Sequence, residues 1–131
     1  MTWVVDASVV VDLLTGVLEA ERLGPAATGR WHAPAHVDVE VLHAVRGLVR
    51  GRHLTIGRAR DALHDLHDLR IDRWAMDRSS ALRALDLGRN LSAYDAAYVA
   101  LAEELAAPLV TRDTRLARGA TSLSDARVLV L

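Results

Sequence analysis

Short apolar runs alternate with helical segments along the whole chain, and that alternation limits the fold more than any single residue does. Trp3-Val4-Val5 has the length and branching of a strand; Asp6-Ala7-Ser8 then opens an apolar helix ending near Gly16, with a weaker helical stretch to Gly24. Trp31-His32-Ala33 is a second short strand, and Pro34 suits the first turn of a helix running to about Gly51. Thr55 caps a helix carrying Ala59, Leu63 and Leu66, and Leu69 to Trp74 has the alternating, branched pattern of a strand. Asp77 to Leu87 is a helix stopped by Gly88, and Ser92 caps a longer one that ends before Pro108. Leu109-Val110-Thr111 is a strand, Asp113 to Arg118 a short helix, and Arg127 to Leu131 a final strand. Parallel neighbours need crossover connections, so this order predicts an α/β fold with a largely parallel sheet and helices on both faces. Ligands of such sheets bind beyond the carboxyl ends of the strands, which makes the residues just after each strand the informative ones.

With 131 residues and no repeat, low-complexity tract or linker, the sequence is expected to form a single domain, 1–131. Cysteine is absent, which excludes disulfides, thiolate metal sites and a thiol nucleophile, and makes the cytoplasm the default compartment. The start, Met1-Thr2-Trp3-Val4-Val5-Asp6, is not a signal peptide, and no stretch is long enough to cross a bilayer. The formal charge is −1, yet every basic side chain is an arginine, so a mechanism needing lysine is excluded. Were a metal to neutralise the four acids considered next, the arginines would outnumber the remaining acids, a balance suited to a polyanionic substrate. Genomic base composition accounts for an arginine bias equally well.

Four acids meet the strand-end condition, and each also has a purely structural alternative. Asp6 directly follows the first strand, where it could cap the next helix; Ser8 lies two residues on. Glu40 stands beside the apolar stripe Val37, Val41, Ala44, Val45 and Leu48, and an ionised carboxylate there needs a metal or an arginine such as Arg46. Asp95 is the third helical residue after Ser92, as in a capping box. Its helix must deliver the chain to the start of the strand at Leu109, so its N-terminus lies at the edge where Asp6 is. Asp113 repeats the strand-then-acid pattern after Thr111, whose hydroxyl could hold a water or the acid, and could likewise cap a helix. Capping explains any one of these acids but not the convergence of four.

All four are hard oxygen donors, a set that selects Mg²⁺ or Mn²⁺ over Zn²⁺. Carboxylates holding hydrated Mg²⁺ orient a water for in-line attack and offset charge on a phosphate, so the expected reaction is phosphodiester hydrolysis. His64 and His67 lie among acids on what is expected to be a solvated helix face, while His36 stands four residues before Glu40.

Val4-Val5-Asp6-Ala7-Ser8, Pro34 with Glu40, the run from Ser92 to Ala102, and Leu109-Val110-Thr111-Arg112-Asp113 resemble the PIN-domain ribonucleases, specifically the VapC toxins of type II toxin–antitoxin systems. The resemblance implies a three-layer fold with a four- or five-stranded parallel sheet and Mg²⁺-dependent cleavage of RNA. It also implies a homodimer and inhibition by a VapB-like antitoxin; with no convincing helix-turn-helix in this sequence, DNA contact is expected only through that antitoxin. By matching position it makes Asp6, Glu40, Asp95 and Asp113 the catalytic, metal-binding quartet, with Ser8 and Thr111 as supporting polar residues. Two features depart from the family pattern. Thr114 and Arg115 follow Asp113 where many relatives carry a further acid, and without lysines the RNA contacts fall to arginines such as Arg46, Arg50, Arg112 or Arg115. A receiver-like Mg²⁺-binding module is a rival, but it requires a late lysine; a dehalogenase-like phosphatase requires an acid where Ser8 stands. A noncatalytic PIN-like module that binds RNA or a partner would keep the same acids.

Overall fold

The computed structural model describes residues 1–88 and 90–131. The elements follow in the order β1 (Thr2–Val5), α1 (Ala7–Leu14), a 3₁₀ segment (Ala20–Ala27), β2 (Arg30–Pro34), α2 (Val37–Arg50), α3 (Ile56–Asp68), β3 (Ile71–Trp74) and α4 (Arg78–Asp86). Then come α5 (Ala93–Glu104), β4 (Leu109–Thr111), α6 (Thr114–Leu123) and β5 (Val128–Val130). The strands form one sheet in the order β3-β2-β1-β4-β5, and every pairing is parallel. This is not the 2-1-3-4-5 order of receiver-like sheets. Helices α1, α2 and α3 pack on one another, and α4 and α6 pack on α5, which lies against β1, β2 and β4. Among the described residues no helix is long and apolar enough to cross a membrane.

Local chemistry accounts for the boundaries. Thr55, Asp77 and Ser92 each accept a hydrogen bond from the backbone N–H three residues on, which starts α3, α4 and α5. Helix α5 buries every residue from Ala96 to Ala102, so it is apolar around its whole circumference, as a helix held between a sheet and other helices must be. Gly29 turns the chain into β2 at φ +107°, where a Cβ would stand 2.4 Å from the Met1 carbonyl oxygen.

Two expectations are corrected. Pro34 does not open a helix; it is the last residue of β2 and pairs with Trp74, and α2 begins only at Val37. Proline lacks an N–H to donate, and at the end of a strand the loss is small because Ala35 N–H supplies the next bond, to the Trp74 carbonyl. Helix α6 runs past Arg118 to Leu123, although Gly119, Thr121 and Ser122 are weak helix formers. Gly119 lets α6 approach Leu91, whose Cδ2 would stand 2.5 Å from an added Cβ, so tertiary packing outweighs propensity.

Candidate metal centre

Asp6 leaves the end of β1 and occupies the N-cap position of α1, but its side chain makes no capping bond. It turns inward instead, only 5% exposed, and its Oδ2 accepts from the Ser8 hydroxyl at 2.6 Å and the Thr111 hydroxyl at 2.8 Å. Those hydroxyls are themselves oriented by backbone donors, Arg112 N–H to Ser8 Oγ at 3.0 Å and Asp113 N–H to Thr111 Oγ1 at 2.9 Å. The turn after β4 therefore locks the carboxylate that follows β1. Burial raises the Asp6 pKa; the two hydroxyl bonds pull against that, and the charge of Glu40 adds to it.

Glu40 comes from the first turns of α2, and among the described residues no arginine pairs with it. The Tyr98 hydroxyl of α5 donates to Glu40 Oε1 at 2.8 Å. Tyr98 is fully buried and must place its hydroxyl on an acceptor, so the two side chains hold α2 and α5 in register. Burial, then the Glu40 charge, push the Tyr98 pKa up, leaving it a neutral donor. His36 Nε2 is 3.2 Å from the same Glu40 oxygen, but it is out of line and makes no hydrogen bond.

Asp95 forms half a capping box: its N–H donates to Ser92 Oγ at 3.1 Å. Its pKa is pushed up to about 6, first by burial and then by the negative charges of Asp6, Asp113 and Glu40. That effect brings all four acids into one electrostatic neighbourhood. Asp113 does cap its helix, accepting from Arg115 N–H at 2.9 Å and Leu116 N–H at 3.3 Å, both at Oδ1. Its Oδ2 accepts neither bond.

Exposed acids such as Glu19, Asp61 and Asp86 are solvated without a partner among the described residues, but among the acids that are not exposed, charge balance separates these four from the rest. Asp12, Asp38 and Glu103 each pair with an arginine. Among the described residues, none of Asp6, Glu40, Asp95 and Asp113 does. The four hard oxygen donors therefore fit a divalent cation by chemistry and by their uncompensated charge. Among the described residues no three acidic or histidine side chains stand close enough to share one ion directly. A 650 Å³ cavity opens beside this cluster between α1 and α2, lined by Ser8, Asp12, His36, Glu40 and Tyr94 among others.

His64 and His67 are exposed on α3. Arg112 is held by Asp12, with Nε to Oδ2 at 2.5 Å, whereas Arg46 and Arg50 line a groove between α2 and α3, and Arg115 is exposed beside Asp113. Sequence reasoning missed Tyr98. The available signal was its position three residues after Asp95, on the same face of α5.

The PIN domain profile matches residues 3–121. The chain belongs to the PIN domain family. It is 37% identical over 119 residues to Ribonuclease VapC12 of Mycobacterium tuberculosis (strain ATCC 25618 / H37Rv), covering 88% of this chain and 89% of that one. It is 41% identical to Ribonuclease VapC3 of the same strain over 119 residues, with 88% and 85% covered. Solved PIN structures share the fold: VapBC2 from Rickettsia felis bound to a DNA fragment from their promoter aligns with a TM-score of 0.70 at 14% identity, covering 99% of this chain and 98% of that one. VapBC-1 from nontypeable Haemophilus influenzae aligns at 0.66 and 16% identity, with the same coverage.

Proposed function

We propose that this PIN domain is a metal-dependent endoribonuclease of the VapC toxin type, hydrolysing RNA phosphodiester bonds at Asp6, Glu40, Asp95 and Asp113 and inhibited by a VapB-like antitoxin. The observation that carries the reading is the unpaired charge: four carboxylates at one end of the sheet, none neutralised by arginine, with Asp95 pushed up to about 6 partly by the other three. Relatives named as ribonucleases supply the substrate class, and the VapBC complexes supply the partner. The working form is a homodimer, and contact with DNA runs through the antitoxin.

Bound Mg²⁺ or Mn²⁺ would activate a water and offset charge on the phosphate. The chain's own contribution is orientation. Ser8 and Thr111 hold Asp6 by Oδ2 and Tyr98 holds Glu40 by Oε1, so among the described residues Asp6 Oδ1 and Glu40 Oε2 have no hydroxyl donor and would be available to a bound ion. Asp113 occupies Oδ1 with the N-terminus of α6 and presents Oδ2. Asp95 completes the set from the first turn of α5.

The test is cleavage of total cellular RNA by the purified chain with Mg²⁺ or Mn²⁺, beside an EDTA control and the Asp95→Asn variant, with sequencing of new ends. Discrete cuts that need both metal and Asp95 are expected. Absence of cuts across a broad RNA set while Mn²⁺ still binds would overturn catalysis in favour of a noncatalytic binding module.

A further inference from the structure

A second cavity, 340 Å³, lies at the same end of the sheet, just beyond the carboxyl ends of β2 and β3. Its lining includes Pro34, His36, Trp74, Met76 and Leu101. Among the described residues no arginine or acid lines it, so they offer nothing to pair with a phosphate, while its apolar walls and one indole suit a flat, uncharged ring. Trp74 is 39% exposed, and its ring is held in place by its own N–H, which donates to Nδ1 of buried His32 at 3.0 Å. An aromatic side chain that is both solvent-accessible and oriented by a hydrogen bond is a stacking platform of low entropic cost. His36 joins this cavity to the carboxylates. It lines both cavities, and its Nε2 is buried 3.2 Å from Glu40 Oε1 without a hydrogen-bond partner.

We propose that the cavity against Trp74 is a nucleobase subsite, taking one unstacked base of the RNA whose backbone lies at the carboxylate cluster. This rests on the endoribonuclease reading. Single-stranded RNA is read by splaying bases onto aromatic side chains, and the partly exposed ring of Trp74 at this cavity provides that face. The subsite thereby sets a base preference near the cut, whereas the carboxylates act on any phosphodiester.

The first test needs neither metal nor cleavage. The three tryptophans give three indole N–H signals, with Trp3 and Trp31 donating to the carbonyls of Thr28 and Ala26 and Trp74 to His32. In ¹⁵N-labelled chain with EDTA, adenosine, guanosine, cytidine and uridine are each titrated to their solubility limit, with ribose 5-phosphate as control. The Trp74 signal, assigned with Trp74→Phe, is expected to move with at least one nucleoside and not with the sugar phosphate, while Trp3 and Trp31 stay still. In the second test, Trp74→Ala is expected to lower kcat/KM at the favoured cut by about 5- to 100-fold and to broaden the sequenced ends, with Mn²⁺ affinity unchanged. RNA cleavage with no nucleoside response and unchanged cut sites in Trp74→Ala would overturn the subsite and leave the nuclease standing. A nucleoside response without RNA cleavage would do the reverse. Loss of a dimer in Trp74→Ala with no nucleoside response would also overturn the subsite, assigning this face to a second copy of the chain.

Discussion

Removing one carboxylate from the cluster should stabilise the metal-free protein. Asp95 is raised from 3.8 to about 6, roughly two units of about 1.4 kcal/mol each, so its ionisation destabilises the native state by at most about 3 kcal/mol. The side chain is half-buried, and solvent screening roughly halves that figure, to about 1.5 kcal/mol. The sign follows from linkage: with a native pKa above the unfolded one, the favourable contribution is present below about pH 4 and is lost as pH rises through about 6. Asparagine mimics the protonated form and keeps the backbone N–H that bonds Ser92 Oγ. In EDTA at about pH 7.5, Asp95→Asn is therefore expected to melt roughly 5 °C above wild type by circular dichroism, and the gain should vanish near pH 4. Saturating Mn²⁺ should reverse the order, because the ion stabilises the chain that binds it more tightly. A variant that melts at or below wild type in EDTA at about pH 7.5, or a gain that persists at about pH 4, would refute the electrostatic account.

Tyr98→Phe removes the bond to Glu40 and keeps the ring; Mn²⁺ affinity measured by electron paramagnetic resonance is expected to fall by about 10- to 100-fold with a stability loss of only about 1–2 kcal/mol. Thr111→Val deletes a fully buried hydroxyl that donates to Asp6 and accepts from Asp113 N–H, so urea denaturation should show a loss of about 1–3 kcal/mol. Asp113→Asn separates capping from chemistry: asparagine caps α6 about as well and removes a charge that repels Asp95, so the melting temperature in EDTA should not fall while RNA cleavage is lost.

The strand-then-acid junctions at Asp6 and Asp113 were legible in the sequence because they are local, and so were the caps Thr55 and Ser92. What the sequence hid depends on partners far along the chain. Whether Asp6 caps a helix or turns inward is decided by Thr111, 105 residues away, and Glu40 takes Tyr98 rather than arginine across 58 residues. Arg112, a candidate for RNA contact by its neighbour Asp113, is committed to Asp12 across 100 residues. Pro34 misled because its fixed φ suits the first turn of a helix and the end of a strand alike, and only the pairing with Trp74 decides between them.

The chemical identity of each carboxylate's partner suggests how this fold divides its acids between structure and function. Arg73 grips Asp38 with two bonds, at 2.7 and 2.9 Å, tying β3 to α2, and Arg83 grips Glu103 in the same way between α4 and α5. A guanidinium in that position orients the carboxylate and cancels its charge together. Asp6 and Glu40 are held instead by Ser8, Thr111 and Tyr98, whose hydroxyls orient one oxygen and leave the negative charge in place. Leaving these charges uncancelled costs stability in the metal-free chain: burial first, and then neighbouring carboxylates, raise the pKa values of Asp6 and Asp95, and the hydroxyl bonds only partly offset this. A bound cation would supply the missing charge. Replacing the partly exposed Ser8 with a basic side chain long enough to pair with Asp6 would then stabilise the fold and weaken metal binding together, whereas a purely structural cluster would gain stability alone.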